Sequence, residues 1–285
     1  MQKNINEIET AYKNASIYAA NHYENFPVVS IFIPKRLRKH IAVIYQFARM
    51  ADDIADEGNN TASERIKKLN SFEIDFAESL KNNFKNDFWA ALKNTIDEKN
   101  LTPKYFYDLL KAFKQDVDIK KYASYNDVLN YCRYSANPVG RLILELFEIR
   151  DEKLNKYSDN ICTALQLTNF YQDISIDIKK GRIYIPLDEM KKFDVDENVF
   201  VQKDNNVNFK ELLRYQVERT RVLFTEGKKL IQFLPLRLRF EISWTVLGGE
   251  KILEKIENLD FNVLNYRPKL KKTDYIILML KSFLI

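Results

Sequence analysis

The segment Tyr45–Gly58 reads YQFARMADDIADEG and carries four acidic residues within six positions, directly behind an apolar run. On a helix, Asp52 and Asp56 are separated by about 40° around the axis and about 6 Å along it. Stepping back from Asp52 by threes and fours reaches Ala48, Tyr45, Ile44 and Ile41, so the two carboxylates extend a stripe that should face a core. Asp53 and Glu57 point to another face. The pattern recurs in LQLTNFYQDISIDIKKGRIYIP, residues 165–186, where Asn169, Asp173 and Asp177 follow Ile161 and Leu165 at intervals of four.

Like charges four apart cost a few tenths of a kcal/mol on an exposed helix. The cost rises steeply on a face that loses water. A divalent cation held by the two rows would remove it. The donors are oxygens with no His or Cys nearby, which favours Mg²⁺ or Mn²⁺ over zinc. Two solvated helix faces without metal are the alternative. A di-iron carboxylate bundle normally uses Glu-x-x-His, and His22 and His40 sit in no such motif; both read as ordinary polar or interfacial residues.

Composition sets the frame. The chain has 285 residues, 46% of them hydrophobic and 30% charged, with only 6 Gly and 7 Pro. This balance suits a mostly helical protein, and one all-α domain over 1–285 is the economical organisation. The net charge of +5 and pI near 8.9 fit an anionic substrate, an anionic membrane surface or nucleic acid. No basic stripe or recognition motif beyond the short run RPKLKK supports nucleic acid. Cys132 and Cys162 have no metal-ligand spacing and read as reduced thiols of a cytoplasmic protein. The N-terminus shows no apolar signal segment. The tail YIILMLKSFLI is too short to span a bilayer and is interrupted by Lys281. It reads as a helix covering the core, with contact to the inner face of a membrane as the alternative.

Apolar periodicity predicts helices over about 6–22, from Lys35 onward with Pro34 just ahead, and over 62–81 and 86–99. Thr102 reads as an N-cap with Pro103 at the first helical position. Ser124 caps a helix that Pro138 should kink, freeing carbonyls near Tyr134. A long helix is expected over 156–179, a loop over 181–208, and helices over 209–232, 236–257 and 272–283. Arg49 lies three residues before Asp52, and Lys180 and Arg182 flank Gly181, so all three are candidate phosphate donors. Tyr45, Phe47, Tyr131, Tyr134, Phe170 and Tyr171 could line a pocket whose ring faces stabilise a cation. Plain core packing is the alternative for each.

The motifs DDIAD (52–56), NFYQDISID (169–177) and GRIYIP (181–186) resemble the paired aspartate-rich motifs of the squalene and phytoene synthases, the head-to-head isoprenoid synthases. The likeness spans nearly the whole chain. It implies an all-α, class I terpenoid synthase-like bundle around an apolar cavity, with Mg²⁺ held by Asp52, Asp56, Asn169, Asp173 and Asp177. HYENFPVVSIFIPKRLRKHIAVIYQFARMADDIADE and YCRYSANPVGRLIL look like the hydroxysqualene synthase branch of bacterial hopanoid pathways. Asn137-Pro138 stands where phytoene and dehydrosqualene synthases usually have a glycine-containing stretch, and Gln172 stands where many relatives have an arginine.

The resemblance implies ionisation of presqualene diphosphate and capture of the rearranged cation by water, with no NADPH. Arg49, Tyr134, Gln172, Lys180, Arg182 and Arg267 would contact substrate. Asp52, Asp56, Asp173, Asp177, Tyr45 and Tyr131 would serve catalysis, and Asn137 would position water. Condensation of two farnesyl diphosphates, and a non-catalytic helical assembly protein of the same fold, are the alternatives.

Overall fold

A computed structural model describes residues 5–21 and 32–283. His22 and most of the stretch HYENFPVVSIFIP lie outside them. The described helices fall into two compact units, Met1–Asp118 with Pro138–Asp151, and Ile119–Asn137 with Glu152–Ile285.

The first unit contains α1 (Ile5–Asn21), α2 (Lys35–Asp56), α3 (Ala62–Leu80), α4 (Asp87–Glu98), α5 (Lys104–Asp118) and most of α7 (Asn137–Leu146). Its core grows from α2, where Leu37, Ile41, Ile44, Phe47, Ala51 and Ala55 are all buried; of the expected stripe only Ile41 and Ile44 belong to this face, while Tyr45, Ala48, Asp52 and Asp56 lie at its edge and are half-buried. Phe47 is fully enclosed. Its ring lies 5.2–6.2 Å from those of Phe72, Phe76, Trp89 and Phe106, so for Phe47 the packing alternative holds. His40 is buried too, its Nδ1 3.0 Å from Thr95 Oγ1 and its Nε2 3.3 Å from Glu98. Thr102 does not cap α5. Its backbone N–H donates to Glu145 Oε2 at 2.8 Å and its hydroxyl donates to Glu145 Oε1 at 2.5 Å.

The second unit is built on α8 (Glu152–Gln172), which packs along α12 (Val207–Gly227) and α13 (Leu236–Asn258). Two glycines allow that closeness. A Cβ on Gly227 would meet Ile161 Cγ1 at 2.6 Å, and one on Gly249 would meet Phe224 Cζ at 2.6 Å and Leu165 Cδ2 at 2.9 Å. The helix α6 (Tyr125–Ser135) starts with the expected Ser124 cap, which Asp127 reciprocates. Pro138 does not kink one helix: α6 stops at Ser135, and a new helix begins at Asn137, which suits proline in a first turn.

The expected helix over 156–179 is also interrupted. The α8 helix ends at Gln172, and Asp173 (φ −105°, ψ 11°) leads into the short α9 (Ile174–Asp177). A 3₁₀ turn, Ile178–Lys180, follows and ends at Gly181, whose φ of +71° suits glycine. The expected loop over 181–208 contains α10 (Leu187–Lys192) and α11 (Asn198–Gln202). Its first part is extended and pinned: Ile183 N–H donates to Lys120 O at 2.8 Å and Leu187 N–H to Tyr122 O at 3.0 Å. The last helix, α14 (Lys272–Ser282), packs on α13.

Candidate active site

The first acidic row occupies the C-terminal end of α2. Carboxylates there oppose the negative pole of the helix dipole, and no basic residue lies in the last turn. Two arginines offset this. Arg49 reaches Asp52 at 3.3 Å, Asp53 at 2.7 Å and Glu57 at 2.8 Å. Burial works against its charge, but these three carboxylates outweigh burial and hold the guanidinium above its ordinary pKa. Arg65 on α3 donates to the carbonyls of Ile54, Glu57, Gly58 and Asn60 at 2.8–3.2 Å and so fixes the turn after the row. Asp53 is not left to solvent: the Tyr18 hydroxyl donates to it at 3.2 Å. Burial and the Asp53 charge push the Tyr18 phenol up to about 12. Asp52 and Asp56 are half-exposed, and Tyr45 is half-buried one turn before Arg49.

The second row straddles the end of α8. Asn169 is exposed, Asp173 sits at the break, and Asp177 lies on α9. Arg267 clamps Asp173 with two nitrogens: Nε donates to Oδ1, and Nη2 donates to Oδ2 at 3.1 Å. Gln172, read as a substrate contact, is 1% exposed and faces the chain instead. Its Nε2 donates to the Pro268 carbonyl at 2.7 Å, while its Oε1 is buried without a hydrogen bond among the described residues. The row and the segment carrying Arg267 and Pro268 are therefore tied at adjacent positions. Lys180 is exposed.

Asp177, Arg182, Phe170, Ile174, Tyr184 and Phe200 line a narrow, largely filled pocket in this unit. One wall is aromatic. Phe170 and Tyr184 stack at 3.7 Å with planes 2° apart, and Tyr131 lies 6.0 Å from each. Tyr122 adds a fourth ring 5.5 Å from Tyr131. Asn137 Oδ1 accepts from the Thr163 hydroxyl at 3.0 Å. Tyr134 carries the Arg133 guanidinium 5.8 Å from its ring. Tyr171 is packed inside, its hydroxyl donating to Gln216 Oε1 at 3.1 Å, and burial pushes its phenol well above the ordinary range.

Tyr184 and Arg65 were not singled out in the sequence. Tyr184 lies in the quoted motif GRIYIP, between the buried Ile183 and Ile185, and lines the pocket with them. Nothing in the sequence marks Arg65, whose partners are backbone carbonyls.

Among the described residues no three His, Cys, Asp or Glu side chains converge on one point to hold a metal. The rows nonetheless fit Mg²⁺, which usually takes one or two carboxylates and completes its shell with water and substrate phosphate. Each row offers spaced oxygens and no competing nitrogen or sulfur donor.

The squalene/phytoene synthase family model matches residues 19–274. The chain is 32% identical over 246 residues to the hydroxysqualene synthase of Sinorhizobium fredii, covering 85% of this chain and 82% of that one. It is 38% identical over 172 residues to the hydroxysqualene synthase of Zymomonas mobilis, covering 59% and 56%. Among solved structures, squalene synthase HpnC from Alicyclobacillus acidocaldarius superposes with a TM-score of 0.86 at 33% identity, covering 91% of this chain and 97% of that one.

Proposed function

Because the chain belongs to the squalene/phytoene synthase family, enzymes that act on prenyl diphosphates, we propose that it converts presqualene diphosphate and water to hydroxysqualene and diphosphate. The observation that carries this reading is the second row itself. Asp177 and Arg182 share a pocket with the stacked rings of Phe170 and Tyr184, and Arg267 holds the neighbouring Asp173. A diphosphate needs cations, a carbocation needs ring faces and little water, and both are met within one short stretch of chain.

Asp52, Asp56, Asn169, Asp173 and Asp177 would hold Mg²⁺, which as a Lewis acid stabilises charge on a departing diphosphate. Arg49, Lys180, Arg182 and Arg267 supply guanidinium and ammonium donors for the remaining phosphate oxygens. Tyr131, Phe170 and Tyr184 present rings to the rearranging cation. Ile174 and Phe200 keep the pocket apolar, so that water enters where it is wanted. Asn137 fits the positioning of that water: its carbonyl oxygen is occupied by Thr163 and its amide N–H groups remain to donate. The likeness to curated hydroxysqualene synthases supports the water-capturing reading over condensation.

The test is a product assay on purified protein with Mg²⁺ and no NADPH, giving presqualene diphosphate in one tube and farnesyl diphosphate in another. Hydroxysqualene from the first tube alone is expected. Presqualene diphosphate or a C30 hydrocarbon from the second would keep the diphosphate chemistry and move the enzyme to the condensing branch. Asp52→Asn and Asp173→Asn should each abolish turnover with the helical content intact.

A further inference from the structure

The sequence reads the last helix as a cover for the core. In the structure only part of α14 does this: Leu278 and Ser282 are buried, while Ile276 (58% exposed), Ile277 (51%), Leu280 (59%) and Phe283 (49%) turn outward. Residues 276, 280 and 283 follow one another at steps of four and three, so they form a single outward stripe. The stripe continues onto α13. The Phe283 ring lies 4.6 Å from that of Phe240. Leu236, one turn earlier on α13, is 62% exposed, and Phe233 just before it is 49% exposed.

Exposed cations stand at both ends of the stripe, and the acids near it are paired. Lys271 and Lys272 at one end of α14, and Lys281 and Arg237 at the other, are exposed. The acid on α14 itself, Asp274, turns inward to Lys255 at 2.9 Å. Glu250 and Glu254, on the adjoining flank of α13, are paired with Lys228 at 2.8 Å and Lys251 at 2.5 Å. No described helix is long and apolar enough to cross a membrane.

We propose that the outward face of α14, together with the start of α13, is a docking surface for a bilayer containing anionic lipid. An apolar stripe rimmed by lysine and arginine is the pattern of a helix lying in the headgroup region, its apolar side chains in the acyl boundary and its cations on lipid phosphates. A second copy of the chain fits less well. In a two-fold contact the same patch meets itself, which would bring the Lys271, Lys272, Lys281 and Arg237 rims of the two copies together with no acid on the stripe to offset them. The proposal stands apart from the catalytic reading, because it needs no turnover.

The experiment is flotation of the purified full chain with vesicles of phosphatidylcholine alone and of an equal mixture of phosphatidylcholine and phosphatidylglycerol, at low and high salt. The chain should float with the anionic mixture, and binding should fall as salt screens the lysines. Ile276→Glu with Leu280→Glu should lower the partition coefficient at least about tenfold. Lys271→Glu with Lys272→Glu should remove most of the preference for the anionic mixture, about 25-fold or more. Circular dichroism reports folding, and Ile276→Ser with Leu280→Ser replaces the glutamate pair if that pair fails to fold. Absence of flotation in the anionic mixture, or flotation indifferent to both apolar variants, overturns the proposal. So does a wild-type dimer that the apolar variants convert to monomer without any loss of vesicle binding, which would assign the face to a second copy.

Discussion

Replacing Arg267 by Met should make metal bind the second acidic row more tightly when no diphosphate is present. Both oxygens of Asp173 are engaged by Arg267, so a cation must compete with the guanidinium for the same lone pairs. The side chains of the pair are 27% and 28% exposed, which places it between two regimes. Exposed pairs contribute about 0.2–1 kcal/mol, and breaking a buried one costs about 3–5 kcal/mol. A middle value of about 1.5 kcal/mol corresponds to about a tenfold change in a binding constant. Mn²⁺ titration followed by the electron paramagnetic resonance of the unbound ion, with Mg²⁺ as competitor, reads this directly. Arg267→Met should lower the dissociation constant about tenfold, and it should change nothing in an Asp173→Asn background. Inorganic diphosphate should bind Arg267→Met more weakly than wild type, because the displaced arginine is one of its proposed donors. Unchanged or weaker metal binding in Arg267→Met without diphosphate would refute the competition.

Three further outcomes follow from other contacts. His40 has its pKa lowered from 6.5 to about 4, chiefly by burial with Glu98 partly opposing. The unfolded chain therefore takes up a proton between pH 6.5 and about 4 that the folded chain refuses. Stability should fall as pH drops through that window, by up to about 3 kcal/mol, and denaturant titrations of His40→Gln should show a flatter profile. Arg65→Met leaves four carbonyls at the end of α2 without their donor and should cost about 1–2 kcal/mol in a thermal melt. Its activity should drop further than its stability, because the acidic row loses its anchor. Tyr184→Ala removes the ring stacked on Phe170, worth about 0.5–1.5 kcal/mol beyond its area, and should raise the share of early-quenched products. Tyr184→Phe should behave as wild type in the same assay.

The long helices were legible because their apolar stripes are long. The start of α2 at Lys35 behind Pro34, and the Ser124 cap, agree with the structure. The break at Asp173 was hidden for the same reason: Phe170, Ile174 and Ile178 keep helical spacing straight across it, so periodicity cannot report the interruption. The helices α10 and α11, of 6 and 5 residues, are too short to show a period at all. Thr102 reads locally as a cap, and only the folded chain brings Glu145 close enough to take both its donors. The acidic rows stood out because their cost on a helix is local and can be estimated from spacing. Arg49 stood out with them, three residues before Asp52, but the pairing of Arg267 with Asp173 did not: the two lie 94 residues apart, and their contact is a product of the fold. Gln172 shows the converse, a residue adjacent to the row whose burial under Pro268 no spacing rule reveals.

The arginines explain how such rows persist in a folded chain before any ligand arrives. Four carboxylates at the C-terminal end of α2 repel one another and the helix dipole together. Arg49 offsets the side chains, and Arg65 offsets the carbonyls. On the second row Arg267 clamps Asp173, while Asp177 lines the pocket. The two rows are thus stabilised differently. At the first, the arginine is shared among three acids, so losing one contact leaves two. At the second, Asp173 is held by a bidentate pair with Arg267, so whatever displaces Arg267 must supply positive charge to Asp173 at the same moment. A divalent cation arriving with a diphosphate would meet that condition: the cation would take the place of the guanidinium at Asp173, and the diphosphate would give Arg267 a new anionic partner.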